Sequence, residues 1–281
     1  MNVLVVGAFG HLGQDVVKSL AVKKYHVTAA GKTIRSTYKS GLIKTKQCDI
    51  TNIDDVKNIC RGMDIVISCA GLTKSSKAVT HYDVDFKGNL NILNDALKNK
   101  VKKFIYISVI KSDSDKKIPM LNAKYRFEEE LKKSSIDYTI LRPTGYFYDI
   151  ANVFKPMIEK GEVTLLKGKK IYSNVIDTKD LADYIVSNID TNSKKTIDVG
   201  GQDTYSYDEI AELFFKASHK KCCIKYVSPK LFDIIAFVSK VTKNGRYANV
   251  LFGKWTMMND MQAETKIGTR HLDEYIKSLY S

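Results

Sequence analysis

The chain has 281 residues, 44% of them hydrophobic and 27% charged, with a formal net charge of +14. It is long enough to bury a large core, and four prolines with no Gly/Ser-rich stretch mark no linker, so one body spanning 1–281 is expected. No run approaches the roughly 18 uninterrupted apolar residues of a membrane span, and five cysteines without a CxxC pair exclude a metal site and an even disulfide framework.

The basic residues are scattered in pairs such as Lys102-Lys103, Lys116-Lys117 and Lys132-Lys133, without an aromatic-interleaved stripe. They read as a solvated basic surface rather than a nucleic-acid interface, although the excess charge also suits an anionic small ligand. Cys48, Cys60, Cys69, Cys222 and Cys223 read as reduced, mostly buried thiols of a cytoplasmic protein, and the N-terminus enters a hydrophobic strand with no charged leader.

Taken in order, Asn2 to Val6 (NVLVV) is a short β-branched run expected as a buried parallel strand. Leu12 to Lys23 changes to helical spacing, with Leu12, Val16 and Leu20 on one face, and His26 to Ala30 is a second strand. DIVIS (64–68) and FIYIS (104–108) are further buried strands, with a helix between them over Val84 to Asn99. A helix over Ala123 to Lys133 precedes a strand over Tyr138 to Leu141. This alternation predicts right-handed βαβ crossovers and an α/β fold with a doubly wound parallel sheet, the Rossmann arrangement.

After about residue 150 the rhythm loosens. Ser206-Tyr-Asp-Glu209 reads as a capping box opening an apolar helix through Phe215, and Pro229 to Val241 as another helix. Roughly 200–281 is expected to form a small lobe covering a substrate.

Gly7-Ala-Phe-Gly10-His-Leu-Gly13 follows the first strand directly and opens the first helix. In that context Gly7 permits a tight turn, Gly10 lets the backbone approach a pyrophosphate, and Gly13 lets the helix pack on the sheet. The helix start, with Phe9, His11 and Leu12 in the loop, offers free N–H groups and a partial positive charge to phosphates. The second strand runs into Gly31-Lys32-Thr-Ile-Arg35 with no acid to hold a ribose 2′-hydroxyl. Lys32 and Arg35 are instead placed to meet a 2′-phosphate, which predicts NADP(H), with NAD(H) as second choice.

The GxxGxxG spacing resembles the extended and atypical branches of the short-chain dehydrogenase/reductase superfamily. Ser68-Cys69-Ala70-Gly71 resembles that family's Asn-Ala-Gly-type loop beside the cofactor ribose, and Cys48-Asp49-Ile50 resembles the segment whose Asp contacts adenine. Most members carry a Ser with a Tyr-xxx-Lys pair. Here Lys124 stands at the lysine position, Met120 at the tyrosine position, and Ser108 ends the matching strand. Tyr125, one helical step away, is about 100° round the helix and does not replace residue 120.

Ala123-Lys-Tyr-Arg-Phe-Glu-Glu-Glu-Leu131 and Asp137-Tyr-Thr-Ile-Leu-Arg-Pro-Thr-Gly-Tyr-Phe147 resemble atypical reductases of the NmrA-like type, nearest the branch with divinyl chlorophyllide reductases. Isoflavone-reductase-like enzymes likewise keep the lysine without the tyrosine. The resemblance covers roughly residues 1–215. It implies hydride delivery to a conjugated or hydrophobic small molecule, with Lys124 or water managing the proton. It also implies Pro143 and Thr144 beside the nicotinamide, and Tyr146 and Phe147 walling the pocket or packing in the core. Similar sequences include redox sensors and assembly factors that bind NADP(H) without turnover, and that alternative stays open.

His11 and His81 are candidate proton shuttles, although a lone histidine is more often ordinary structure, and Asp177 or Thr178 is expected to cap a helix. In Pro229–Val241, Leu231, Ile234, Ile235 and Val238 form one apolar stripe, while Phe232, Ala236 and Phe237 widen it, with Lys225, Lys230, Lys240, Lys243 and Arg246 around. The stripe is expected to pack on the body and the surplus to lid a pocket or meet a second subunit, in preference to a membrane. A monomer or homodimer is expected.

Overall fold

In a computed structural model, which describes every residue except 36, 37, 39, 192, 243 and 244, NVLVV is strand β1 (Asn2–Val6), buried from Val3 onward. Helix α1 (His11–Val22) buries Leu12, Gly13, Val16, Val17 and Leu20, the stripe its spacing predicts. Strands β2 (His26–Gly31) and β3 (Ile43–Gln47) and the single turn α2 (Ile53–Val56) follow. Strand β4 (Ile65–Ser68) is buried throughout. The segment read as a helix from Val84 begins instead with a π-helix, Tyr82–Gly88, and continues as α3 (Asn89–Lys98). Strand β5 (Lys103–Ile107), helix α4 (Pro119–Lys133) and strand β6 (Asp137–Pro143) complete this part, with Pro119 starting α4 where its missing N–H costs nothing.

Further along lie α5 (Phe147–Glu159), β7 (Val163–Leu166), β8 (Tyr172–Ser173), α6 (Thr178–Ser187), β9 (Lys195–Gly200) and β10 (Tyr205–Ser206). They are followed by α7 (Tyr207–Ala217), β11 (Ile224–Val227), α8 (Pro229–Val241), α9 (Tyr247–Thr256), β12 (Thr265–Lys266) and α10 (Leu272–Ser278). Two compact units result. One comprises Met1–Arg142 and Leu181–Ile197, the other Pro143–Asp180 and Asp198–Ser281.

The main sheet has eight strands in the order β3-β2-β1-β4-β5-β6-β9-β12. The β1–β2, β2–β3, β1–β4, β4–β5, β5–β6 and β9–β12 pairs are parallel, as a doubly wound α/β sheet requires. The winding reverses between β1 and β4, and registers Val6↔Ala30 and Val6↔Ser68 set the ends of β2, β1 and β4 side by side. In open α/β sheets, ligands bind at such a switch point, outside the carboxyl ends of the strands. Strand β3, a polar IKTKQ edge with four exposed residues, carries no apolar run and escapes a reading based on hydrophobic periodicity. The first unit's core joins Leu4, Val66, Phe104, Tyr106, Phe127 and Ile140 around the sheet, with the Tyr106 ring edge-on to Phe127 at 4.5 Å.

The second unit has its own core of Phe147, Phe154, Ile158, Ile210, Phe214 and Leu272, with Phe154 stacked on Phe214. Helix α7 opens on the expected capping box: Ser206 Oγ accepts from the Glu209 N–H, and Glu209 accepts from the Ser206 N–H at 2.7 Å. Asp177 accepts from the Lys179 N–H at 2.8 Å, the expected cap of α6. Asn174 pairs both backbone groups of Ala263 at 2.9 Å and so fastens β8 to the C-terminal segment as a strand neighbour would. Phe147 goes to this core, which settles the choice left open for it, whereas Tyr146 is half-buried and stacks on Tyr148.

Asp149, in the first turn of α5, is pushed up to about 6 by burial. A carboxyl raised in the folded state favours folding while protonated and penalises it once ionised. The penalty is therefore absent below about pH 4 and fully present above the raised value. Asp149→Asn is expected to unfold like wild type near pH 4 and to be more stable at pH 8, by as much as about 3 kcal/mol. Urea denaturation at both pH values checks this, and an equal difference at both contradicts it.

Candidate functional site

The carboxyl ends of β1, β2 and β4 meet at the glycine loop. Gly7 has φ +76°, and a Cβ there would lie 2.8 Å from the Ala70 nitrogen; one on Gly13 would lie 2.1 Å from the Gly7 carbonyl oxygen. Both glycines are therefore demanded by the fold itself. Gly10 differs, because a Cβ there would meet only the Gly7 oxygen, at an ordinary 3.5 Å. Gly10 and His11 face solvent, and Gly10, the cap residue of α1, brings no side-chain hydrogen bond to the helix start, whose first turn holds no acid. An open glycine at an uncapped helix start is an anion cradle, which a dinucleotide pyrophosphate fits.

Around it, the Ala8 N–H donates to Ala30 O at 3.0 Å and the Cys69 N–H to Val6 O at 2.9 Å. Phe9 is buried, its ring filling the space a Cβ on Gly31 would need, and Tyr38 stacks on it while donating to the Ala8 carbonyl at 3.0 Å. Leu12 is likewise core, so these two residues can offer a ligand only backbone.

Lys32 and Asp49, assigned by sequence to opposite parts of an adenosine moiety, lie together, Lys32 Nζ 2.7 Å from Asp49 Oδ2. Burial would raise the Asp49 carboxyl, but hydrogen bonds from Lys32 and Thr51 outweigh it and hold it below the usual carboxylate range. Lys32 is two-thirds exposed and free to turn toward a phosphate, and Arg35 is exposed nearby in sequence. Ile50 is core, its carbonyl held by Asn91 at 2.9 Å.

Past β4, the Ser68–Gly71 loop is fixed from beneath. Ser68 donates to Asn89, whose amide nitrogen donates to the carbonyls of Ala70, Val84 and Asp85. Burial pushes the Cys69 thiol up to about 12, which keeps it unreactive. A Cβ on Gly71 would lie 2.8 Å from Asp85 Oδ1 and 3.1 Å from Lys124 Nζ, so the loop crosses directly over those two groups.

Asp85 has no exposed surface. Its Oδ1 is 3.1 Å from Lys124 Nζ, and its Oδ2 is 3.0 Å from His81 Nδ1 and accepts from the Leu72 N–H at 3.3 Å. Burial alone would raise this carboxyl, but Lys124 and His81 reverse the effect and hold it below its ordinary range. Lys124 also donates to the Ile107 carbonyl at 3.2 Å and lies 5.4 Å above the Tyr106 ring. His81 is buried too. The sequence reading had Lys124 and His81 but not the aspartate that joins them. The available signal was the i, i+4 spacing of His81 and Asp85 in a stretch that the π-helix shifts off regular helical phase.

Ser108 points elsewhere. Its hydroxyl donates to the fully buried Glu128, which also accepts from Ser112 at 2.8 Å and from the Arg142 guanidinium, itself 3.3 Å from Asp113. Met120 and Tyr125 are half-buried on α4, and Lys116 lies 5.9 Å over the Tyr125 ring. In the second unit, Pro143 ends β6, while Thr144 donates from N–H to Val199 O at 3.1 Å and from Oγ1 to Asn174 O at 2.7 Å.

The glycine geometry separates fold from ligand. Gly10→Ala is expected to keep the wild-type melting temperature to within what about 1 kcal/mol shifts, yet weaken dinucleotide binding at least about tenfold by filling the open cradle. Gly13→Ala is expected to lose folding itself. Thermal melts and calorimetric titration of each variant check this, and tight binding by Gly10→Ala contradicts it.

Residues 7–192 match the family described as NAD(P)H-binding. The chain is 23% identical over 273 residues to the photosystem II assembly factor Ycf39 of Guillardia theta, covering 93% of this chain and 86% of that protein. It is 28% identical over 232 residues to the chloroplastic divinyl chlorophyllide a 8-vinyl-reductase of Arabidopsis thaliana, covering 72% of this chain and 53% of that one. Among solved structures, the NADPH complex of the Escherichia coli NADPH-dependent quinone oxidoreductase QOR2 superposes with a TM-score of 0.75 at 18% identity, covering 99% of this chain and 100% of that one. With a family match over two-thirds of its length, an open glycine cradle and a reversed strand order beside it, the chain belongs to the NAD(P)H-binding family.

Proposed function

We propose that the chain is an NADP(H)-dependent reductase of the atypical short-chain dehydrogenase/reductase type, acting on a conjugated or hydrophobic small molecule. The observation that carries this reading is Lys124, held by Asp85 and the Ile107 carbonyl under the Gly71 loop. Bound NAD(P)H would supply the hydride. The Lys124 ammonium donates to Ile107 O and lies 3.1 Å from Asp85 Oδ1 as its counter-charge, and of its three donors one would turn to a ribose hydroxyl or a substrate oxygen. Asp85 thereby acts as a positioning residue that holds the ammonium under the loop. Ser108 donates to Glu128, which also holds Arg142, so its proton is committed there. With Met120 in place of an acidic tyrosine, the proton completing reduction comes from Lys124 or from water.

A second reading, a cofactor-binding assembly or sensing protein without turnover, is favoured by Met120 and by the similarity to a photosystem II assembly factor. NADPH oxidation measured against quinone, enone and tetrapyrrole acceptors separates the two. Turnover with any of them supports the reductase, and tight NADPH binding with no turnover on all of them supports the second reading.

Under the first reading, Lys124→Met and Asp85→Asn each lower kcat/KM by about two orders of magnitude, and the double variant loses little more because the two act as one unit. The Lys124→Met change also raises the cofactor KM. Wild-type kinetics in Lys124→Met contradict the assignment. The double variant guards against misfolding, since it leaves no charge of this pair buried alone.

Cofactor choice rests on Lys32 and Arg35. NADPH is expected to bind more tightly than NADH, and Lys32→Ala to weaken NADPH by about 1–3 kcal/mol while leaving NADH nearly unchanged. The loss includes Asp49, which then faces the 2′-phosphate without its counter-charge. Calorimetric titration reads both affinities, and equal affinity of the wild type for the two nucleotides contradicts the claim.

A further inference from the structure

Helix α8 is amphipathic in the reverse of the usual sense. Its packed side consists of Ala236 and Ser239, 5% and 4% exposed, with Phe232 half-buried beside them. The side facing solvent carries Leu231, Ile234, Ile235, Phe237, Val238 and Val241, between 41% and 67% exposed. At about 100° per residue these six occupy one continuous arc of about 160°. This corrects the sequence expectation, in which Leu231, Ile234, Ile235 and Val238 pack on the body. The small residues are the covered ones instead, in a helix that packs against α9, where Lys254 is ion-paired with Asp233. Soluble proteins rarely leave so large a continuous apolar face in water, so something else covers it.

The surrounding charge identifies what that is. Asp233 is the only acid of α8 and is taken by Lys254, which leaves Lys230 and Lys240, near the two ends of the helix, without an ion-pair partner among the described residues. Lys240 lies 5.7 Å over the Tyr247 ring of α9, and in the preceding strand Lys225 is paired with Glu162. Lys243 lies outside the described residues. In a two-fold pairing of α8 with a second copy, the same lysines would approach one another without acids to answer them. A surface of anionic headgroups above hydrocarbon satisfies both the cations and the apolar arc. At 13 residues α8 is about 20 Å long, and no helix among the described residues is long and apolar enough to cross a membrane, so the helix lies in the interface.

We propose that α8 docks the chain onto the surface of a lipid bilayer containing anionic lipid, its outward apolar face entering the headgroup–acyl boundary and Lys230 and Lys240 contacting the headgroups. The full chain is mixed with vesicles of phosphatidylcholine alone, or with roughly a third phosphatidylglycerol, and floated on a density gradient. The expected result is binding to the anionic vesicles at least about tenfold above the neutral ones. Ile234→Ser/Phe237→Ser is expected to lower that binding at least about tenfold, with the circular dichroism spectrum and NADPH affinity unchanged. Lys230→Gln/Lys240→Gln is expected to lower binding to anionic vesicles alone. Absence of flotation with both vesicles overturns the proposal, as does flotation indifferent to the serine substitutions. Sedimentation of a dimer that the serine substitutions dissociate, without vesicle binding, overturns it in favour of a second copy.

Discussion

A carboxylate with no exposed surface must be answered by charge or hydrogen bonds, and the geometry of the first unit's functional edge follows from how Asp85 is answered. Desolvating an unpaired carboxylate costs several kcal/mol, so the ionised group persists only because Lys124, His81 and the Leu72 N–H surround it. Each partner pays into a different part of the site. Lys124 is drawn off the exposed surface of α4, the His81–Asp85 contact secures the start of the π-helix, and Leu72 ties down the segment after β4. Gly71 must pass so close above that no side chain fits there. One buried charge thus connects a strand end, two helices and a loop at the sheet edge where a dinucleotide is expected to bind.

The glycine loop does a complementary job with backbone rather than side chains. Gly7 and Gly13 are consumed by the approach of loop, helix and the β4 end, and only Gly10 is left open toward a ligand. An uncapped helix start with no acid in its first turn favours negative charge, and Lys32 and Arg35 lie at the end of the neighbouring strand. On the proposed reading the site would grade from Lys32 and Arg35 at the phosphate end to the buried Lys124–Asp85 ion pair at the sugar end. The Ser108–Glu128–Arg142 network, also buried, stiffens the strand ends from behind.

Much of this was legible in the sequence. Strand runs such as NVLVV, the glycine spacing and the Ser206/Glu209 box are local signals whose physics acts over a few residues, and the structure shows those elements. Lys124 could be located because it lies a fixed distance along a helix. Asp85 could not, since its importance comes from contacts with residues 39 and 4 positions away and from a π-helical phase that no apolar period announces. Glu128 was hidden in a run of three glutamates, only one of which turns inward to meet Arg142. Strand β3 was missed because a polar edge strand has no buried face to pattern it. In α8 the periodicity was correct and its direction wrong: a stripe announces that a face will be covered without saying by what.

The central claim is that Lys124, steered by Asp85, meets the nicotinamide ribose of NAD(P)H. A crystal structure of the chain with NADPH tests it most directly. The account predicts Lys124 Nζ within hydrogen-bond reach, about 3 Å, of a nicotinamide-ribose hydroxyl, with its contact to Asp85 retained. Ordered NADPH in the glycine cradle with that ribose held by other groups, and Lys124 remote from it, would contradict the account.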